Sequence, residues 1–214
     1  MMLRNGFCIF LILTLSACVN RPSVALLKEH DNELIVKEDF GFCKGYGCRY
    51  YMRTAITERE WQQVSRLFDA AAENAAQERE VIKKAIGLLE KIVGPKTDTD
   101  NDDAGAQIIN FSLWGQKARG QMDCIDEAFN SSTYLFLLRK AGFIKFHSLG
   151  QPLRRGYFID RWPHNTATIH EIGTEKVIKG KGHYVVDSWF HANGEAPEII
   201  PASSWATGWS PEKK

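Results

Sequence analysis

Cys124 lies in GQMDCIDEAFN, residues 120 to 130, where loop residues give way to a helical pattern. Asp123 suits an N-cap and Asp126 falls three residues later, which makes Cys124 the first residue of the helix. A thiol at that position meets free backbone N–H groups and the positive end of the helix, and both favour a thiolate. The acids on the same turn oppose it, Glu127 above all, because residues i and i+3 are neighbours on a helix. A nucleophile of this kind needs a base and a group to orient the base. His183 and Asp187 look paired in HYVVD, but four residues of regular strand separate them by about 13 Å. His164, in WPHNTATI, suits the role better. If 166–172 and 183–190 form a hairpin around 173–178 with Ile172 opposite Lys179, His164 falls opposite Asp187. Opposed residues have Cβ atoms about 5 Å apart, within reach of an imidazole and a carboxylate. The Cys124 backbone N–H and the side chain of Gln121 are the candidate donors to an oxyanion.

Cysteine counting explains why this thiol is the one to watch. Residues 1 to 18 read MMLRNGFCIFLILTLSAC, with one positive residue, Arg4, ahead of an apolar run too short to span a bilayer as a stable helix. Its end, Leu15-Ser16-Ala17-Cys18, resembles the bacterial lipoprotein processing box, which implies that Cys18 becomes the lipid-modified first residue. Val19, rather than Asp, implies by the same resemblance an outer-membrane anchor facing the periplasm. An ordinary secretory signal cut near Ala17, or a short membrane anchor, is the alternative. Cys8 leaves with the signal. Cys43 and Cys48, in FCKGYGC, read as a disulfide closing a tight hairpin in an oxidising compartment. A metal pair is the alternative there, though no further Cys or clustered His completes a site. Cys124 is left over.

The elements that must carry these residues are legible in outline. Residues 19 to about 36 are polar and suit a tether, and 37–214 reads as a single domain with a helical N-terminal part over 57–93. Residues 37 to 56 suit a hairpin. Thr57 and Glu60 have capping-box spacing, with Ile56 and Trp61 as a hydrophobic staple. A helical period then runs from Trp61 to Val93, as one helix or as two separated near Gln77, and Gly94-Pro95 stops it. In the acidic loop PKTDTDNDDAGAQ, residues 95 to 107, Asp98, Asp100 and Asp102 alternate as in calcium loops. Asp103 stands where that motif needs Gly, and Ile109 where it needs Glu, so the loop reads as solvated, with weak calcium binding the one cofactor left open. After the Cys124 helix, which ends at Ala141-Gly142, strand-like runs follow at GYFID, at 166–172 and at 183–190. Helices first and antiparallel strands after make an α+β pattern. A formal net charge of +1 and interspersed Lys, Arg and acids leave no basic stripe for nucleic acid.

Cys in DCIDEA at a helix start, His in PHNTATI entering a strand and Asp in HYVVDSWF on the next strand together resemble the transglutaminase-like cysteine peptidase superfamily. The resemblance covers roughly residues 120 to 190. It implies a papain-like core with the Cys helix packed on the sheet, Cys124 as nucleophile, His164 as general base and acid, and Asp187 orienting the imidazole. It also implies attack on an amide carbonyl of protein or cell-wall peptide, giving a thioester that water or an amine resolves. The contrasting expectation is a non-catalytic lipoprotein that binds a peptide or envelope partner in the same cleft, with Trp189, Phe190, Trp205 and Trp209 available to line it.

Overall fold

The computed structural model describes residues 35–106, 120–156 and 163–212. The signal segment, Cys18 and most of the expected tether lie outside them.

The chain enters through a hairpin of β1 (Phe40–Lys44) and β2 (Tyr50–Thr54), in register Phe40 with Thr54 and Lys44 with Tyr50. Its loop takes positive φ at Gly45, Tyr46, Gly47 and Cys48. Two of those residues carry side chains that disfavour this conformation, and the Cys43–Cys48 disulfide holds the turn closed. The hairpin and its disulfide are therefore as expected.

Helix α1 (Glu58–Ser65) begins at the expected capping box: Glu60 N donates to Thr57 Oγ1 at 3.4 Å and Thr57 N to Glu60 Oε2 at 2.8 Å. A 3₁₀ turn over Arg66–Phe68 ends it, and α2 (Ala75–Thr97) starts afresh with Asn74 as N-cap, Asn74 Oδ1 accepting from Gln77 N at 2.9 Å. There are two helices, then, but the break precedes Gln77. The expected stop at Gly94-Pro95 is also displaced. Pro95 lacks only one N–H, near the helix end, and beyond it Thr97 Oγ1 adds a bond by donating to Val93 O at 3.0 Å. The helix ends at Asp98, in the left-handed region at φ 63°.

Helix α3 (Cys124–Lys140) is the centre of the molecule, buried along most of its length. A helix covered on nearly every side needs little amphipathic contrast. It lies on a four-stranded antiparallel meander of β3 (His147–Arg155), β4 (His164–Glu171), β5 (His183–Asp187) and β6 (Glu198–Pro201). Ile82, Ile86 and Leu89 of α2, Leu135 and Leu138 of α3, and Ala167, Ile169 and Val186 of the sheet share one core. On the other sheet face, Trp205 of the short helix α4 (Ala202–Ala206) packs with Val185 and Ala202.

The mixed α+β class is as expected, but the strand list needs correction. β3 and β6 were not anticipated, because Gly150, Pro152 and a register shift between Gly150 and Leu153 obscure the first and Pro201 closes the second. Both are edge strands, where proline and irregularity are tolerated. Of GYFID, only Gly156 is described. β4 starts two residues early, at His164, and β5 ends at Asp187, short of 190. The β4–β5 register pairs Ala167 with Val186 and His170 with His183, two residues from the one expected.

Candidate active site

The start of α3 is held by acids and by the disulfide hairpin. Asp123 Oδ1 accepts from Ile125 N at 3.0 Å and Asp126 N at 3.1 Å, and Asp126 Oδ2 accepts from Asp123 N at 3.2 Å, completing a capping box. Asp126 also takes the N–H groups of Tyr46 at 2.8 Å and Cys48 at 2.6 Å. One turn on, Asn130 Oδ1 accepts from Cys43 N at 2.8 Å while its Nδ2 donates to Cys43 O at 2.9 Å. The positive-φ loop thus aims its amides at the N-terminal end of the helix, and the disulfide holds that loop closed. Among the described residues, Cys43, Cys48 and Asp126 form the one group of potential metal ligands, their atoms within 4.8 Å of one another. With both sulfurs in a disulfide, no thiolate remains there to ligate.

Among the described residues, the acids of the 95–107 loop do not cluster as a group of potential ligands. Asp98 is the C-cap of α2, and Asp102 turns inward, its Oδ1 accepting from Met122 N at 2.6 Å. Gln121 is engaged by the same loop at both ends of its carboxamide: Oε1 accepts from Asp103 N at 3.1 Å and Nε2 donates to Asn101 O at 2.7 Å. Its visible work is to latch the loop beside the helix start. By contrast, no acceptor among the described residues takes the Cys124 N–H.

Cys124 is the first residue of α3 and is 9% exposed, packed with Ile125, Phe129, Cys43 and Trp189. The expected depression of its pKa is not met. Burial pushes the thiol up, the Asp123 carboxylate pushes it further, Asn165 pulls it back through hydrogen bonds, and Asp187 adds a smaller upward push. Glu127 is not the acid that matters. Burial among Glu90, Asp102 and Asp126 raises its carboxyl well above the usual range, and it shares a hydrogen bond with Asp102. Glu90 is pushed up to about 7 and Asp102 to about 8, both chiefly by burial. A neutral Glu127 exerts no charge on the sulfur.

His164 and Asp187 meet. His164 Nε2 lies 2.7 Å from Asp187 Oδ2, with the two residues 4% and 2% exposed. In the observed register they are diagonal, not opposed. A slip of two residues preserves the sheet face, and diagonal neighbours remain within reach of long side chains. Trp205 Nε1 donates to the same Oδ2 at 2.7 Å. As a carboxylate Asp187 only accepts, so Nε2 carries the imidazole hydrogen and Nδ1 is the nitrogen left to act as base. The ring is flanked by Trp189, Phe190 and Trp205 at centroid distances of 4.6, 5.3 and 5.5 Å.

Trp189 links this pair to the thiol, since it packs on the Cys124 cluster as well as on His164. The polar neighbour of Cys124 Sγ is Asn165, whose Nδ2 lies 3.8 Å away. Asn165 shares the α3-facing side of β4 with Ala167 and Ile169, whereas His164, at the strand's first residue, packs towards Trp205. Asn165 was not anticipated as a site residue, although it directly follows the candidate base, and nothing in the sequence joins Trp205 to Asp187. Of the aromatics expected to line a groove, Trp189, Phe190 and Trp205 wall the His164–Asp187 pair, and Trp209 packs on Phe190.

This is an α+β protein with a helix-start thiol and a buried histidine–aspartate pair, both packed on Trp189. No family model matches the chain, and no curated protein or solved structure matches it either.

Proposed function

We propose that this chain is a thiol-dependent amide hydrolase or acyl transferase of transglutaminase-like type, acting on protein or cell-wall peptide through Cys124, His164 and Asp187. The observation that carries the reading is the buried His164–Asp187 hydrogen bond, walled by Trp189, which also packs on the Cys124 cluster. A surface histidine needs no such enclosure; a base that must present one nitrogen does.

Because the buried thiol is raised, it rests protonated. Cys124 Sγ gives its proton to His164 Nδ1 as it attacks the amide carbonyl carbon, and the carbonyl π electrons move to oxygen. The Cys124 backbone N–H is the donor placed to meet that oxyanion, while Gln121 holds the 101–103 loop and offers at most its remaining N–H. Collapse expels the amine, which takes the proton from His164 and leaves a thioester. Water or a second amine, deprotonated by His164, then restores the thiol. Asp187 fixes the tautomer throughout and compensates the imidazolium.

The same reading places the protein in the bacterial envelope, lipid-anchored at Cys18 and facing the periplasm from the outer membrane. Among the described residues no helix is long and apolar enough to cross a membrane. Fatty-acid labelling that survives in the full chain and disappears in Cys18→Ser supports the anchor; labelling unchanged in the variant removes it.

The catalytic reading is tested by alkylation with iodoacetamide, followed by peptide mapping at Cys124. The folded protein should label at a rate that His164→Ala lowers. If Cys124 labels only after unfolding, the thiol is a buried hydrophobe. The raised thiol favours that second reading, a non-catalytic envelope lipoprotein that binds a peptide partner, and the same experiment decides between them.

A further inference from the structure

Asn165 is buried to 3% exposure, and its carboxamide is only half used. Nδ2 faces Cys124 Sγ at 3.8 Å, whereas Oδ1 is fully buried and no group among the described residues satisfies it. Buried carbonyl oxygens are seldom left without a donor, and an exception calls for a reason in function. The neighbouring Thr166 makes the contrast plain: its hydroxyl is spent within the sheet, donating to Val186 O at 2.9 Å. Oδ1 belongs to the same carboxamide whose Nδ2 faces the sulfur, which leaves an unused acceptor in the neighbourhood of the thiol.

We propose that Asn165 is a further catalytic residue that touches both the nucleophile and the substrate, Nδ2 donating to the Cys124 sulfur and Oδ1 accepting the N–H of a secondary amide held for attack. This rests on the acyl-transfer reading above and names its substrate class: amides that carry an N–H beside the reacting carbon, as peptide bonds do, in preference to esters and tertiary amides. The two arms divide the work. The donor arm stabilises sulfur as its proton leaves for His164. The acceptor arm fixes the plane of the amide through its N–H.

The full chain tests this with two alkylating probes that differ only in N–H groups, iodoacetamide and N,N-dimethyl-iodoacetamide. In each, the Cys124 sulfur displaces iodide from carbon and the thiol proton is lost to base. Second-order rates are followed by mapping Cys124 across pH, with circular dichroism confirming that each variant is folded. Wild type should favour the N–H-bearing probe by roughly three- to tenfold beyond the ratio measured for a free thiol. Asn165→Ala should abolish that preference and move the pH profile upward. Asn165→Asp, which keeps the shape and the acceptor but replaces the donor with a charge, should retain the preference and move the profile further upward.

No preference in wild type, or a preference that survives Asn165→Ala, overturns the acceptor role. An unshifted pH profile in both variants overturns the donor role. If His164→Ala slows labelling while the Asn165 variants behave as wild type, the triad stands and the assignment to Asn165 fails. If no probe labels Cys124 in the folded chain, the acyl-transfer reading itself fails.

Discussion

Asp187 separates stability from chemistry better than any other residue of the site. Its Oδ2 accepts two buried hydrogen bonds, from His164 Nε2 and Trp205 Nε1, each at 2.7 Å. Asp187→Ala strands both donors. A buried group left unsatisfied costs about 1–3 kcal/mol, so the pair costs about 3–5 kcal/mol, which lowers the melting temperature of a chain this size by about 10 °C. Asp187→Asn behaves differently. Its carbonyl oxygen can take the place of Oδ2 and accept from both Nε2 and Nε1, so neither donor is stranded. What it removes is the negative charge that compensates the imidazolium formed when His164 takes the Cys124 proton. The Asn variant should therefore lose only about 1–2 kcal/mol in urea unfolding while its Cys124 alkylation rate at neutral pH falls by at least about a hundredfold. The Ala variant should be weak in both assays. If Asp187→Asn is folded and labels Cys124 with the wild-type rate and pH profile, the charge-compensating role is refuted, whatever the stability data show.

Three further outcomes follow from the surroundings of the thiol. Replacing both Cys43 and Cys48 by Ser should cost about 2 kcal/mol in denaturant unfolding from loop entropy alone. It should also change Cys124 labelling, because the amides of Tyr46 and Cys48 would leave Asp126; unchanged labelling would show that the hairpin does not position the helix start. The buried carboxyls set a pH slope. Glu90 at about 7 and Asp102 at about 8 hold protons that the unfolded chain releases in the ordinary carboxylate range. Their contribution is complete below that range and lost as pH rises through the folded values, so unfolding free energy should fall between about pH 5 and 8. Glu127→Gln should flatten that slope, and a stability that climbs over the same interval would contradict the protonated cluster. Gly120→Ala should destabilise by at least about 2 kcal/mol, since Gly120 has φ 79° and an added Cβ would lie 2.3 Å from Asp98 O. Melting temperatures of the purified variants check this directly, and a wild-type value would mean that the loop relaxes freely.

What was legible in the sequence divides along the range of the interaction. The capping boxes at Thr57 and Asp123 were readable because each is completed within four residues. The pairing of His164 with Asp187 was readable even from a register two residues wrong, because the two-residue period of a strand keeps such an error on the same face. Trp205 on Asp187 and Asn165 on Cys124 needed the tertiary approach of elements far apart in the chain, and no local pattern encodes it. The sign of the thiol's shift is the instructive failure. A helix start is worth about 0.3–1 kcal/mol to a negative charge, less than one pKa unit, whereas full burial can move a group by about 3–5 units in the opposite direction. Only the dipole is visible in a sequence; the burial depends on Phe129, Trp189 and the disulfide closing over the sulfur. Burial therefore wins. With the thiol raised, the proposed reaction needs a base that removes the Cys124 proton during attack, not an ion pair formed beforehand. That is why the enclosure of His164, and not the position of the cysteine on its helix, carries the functional argument.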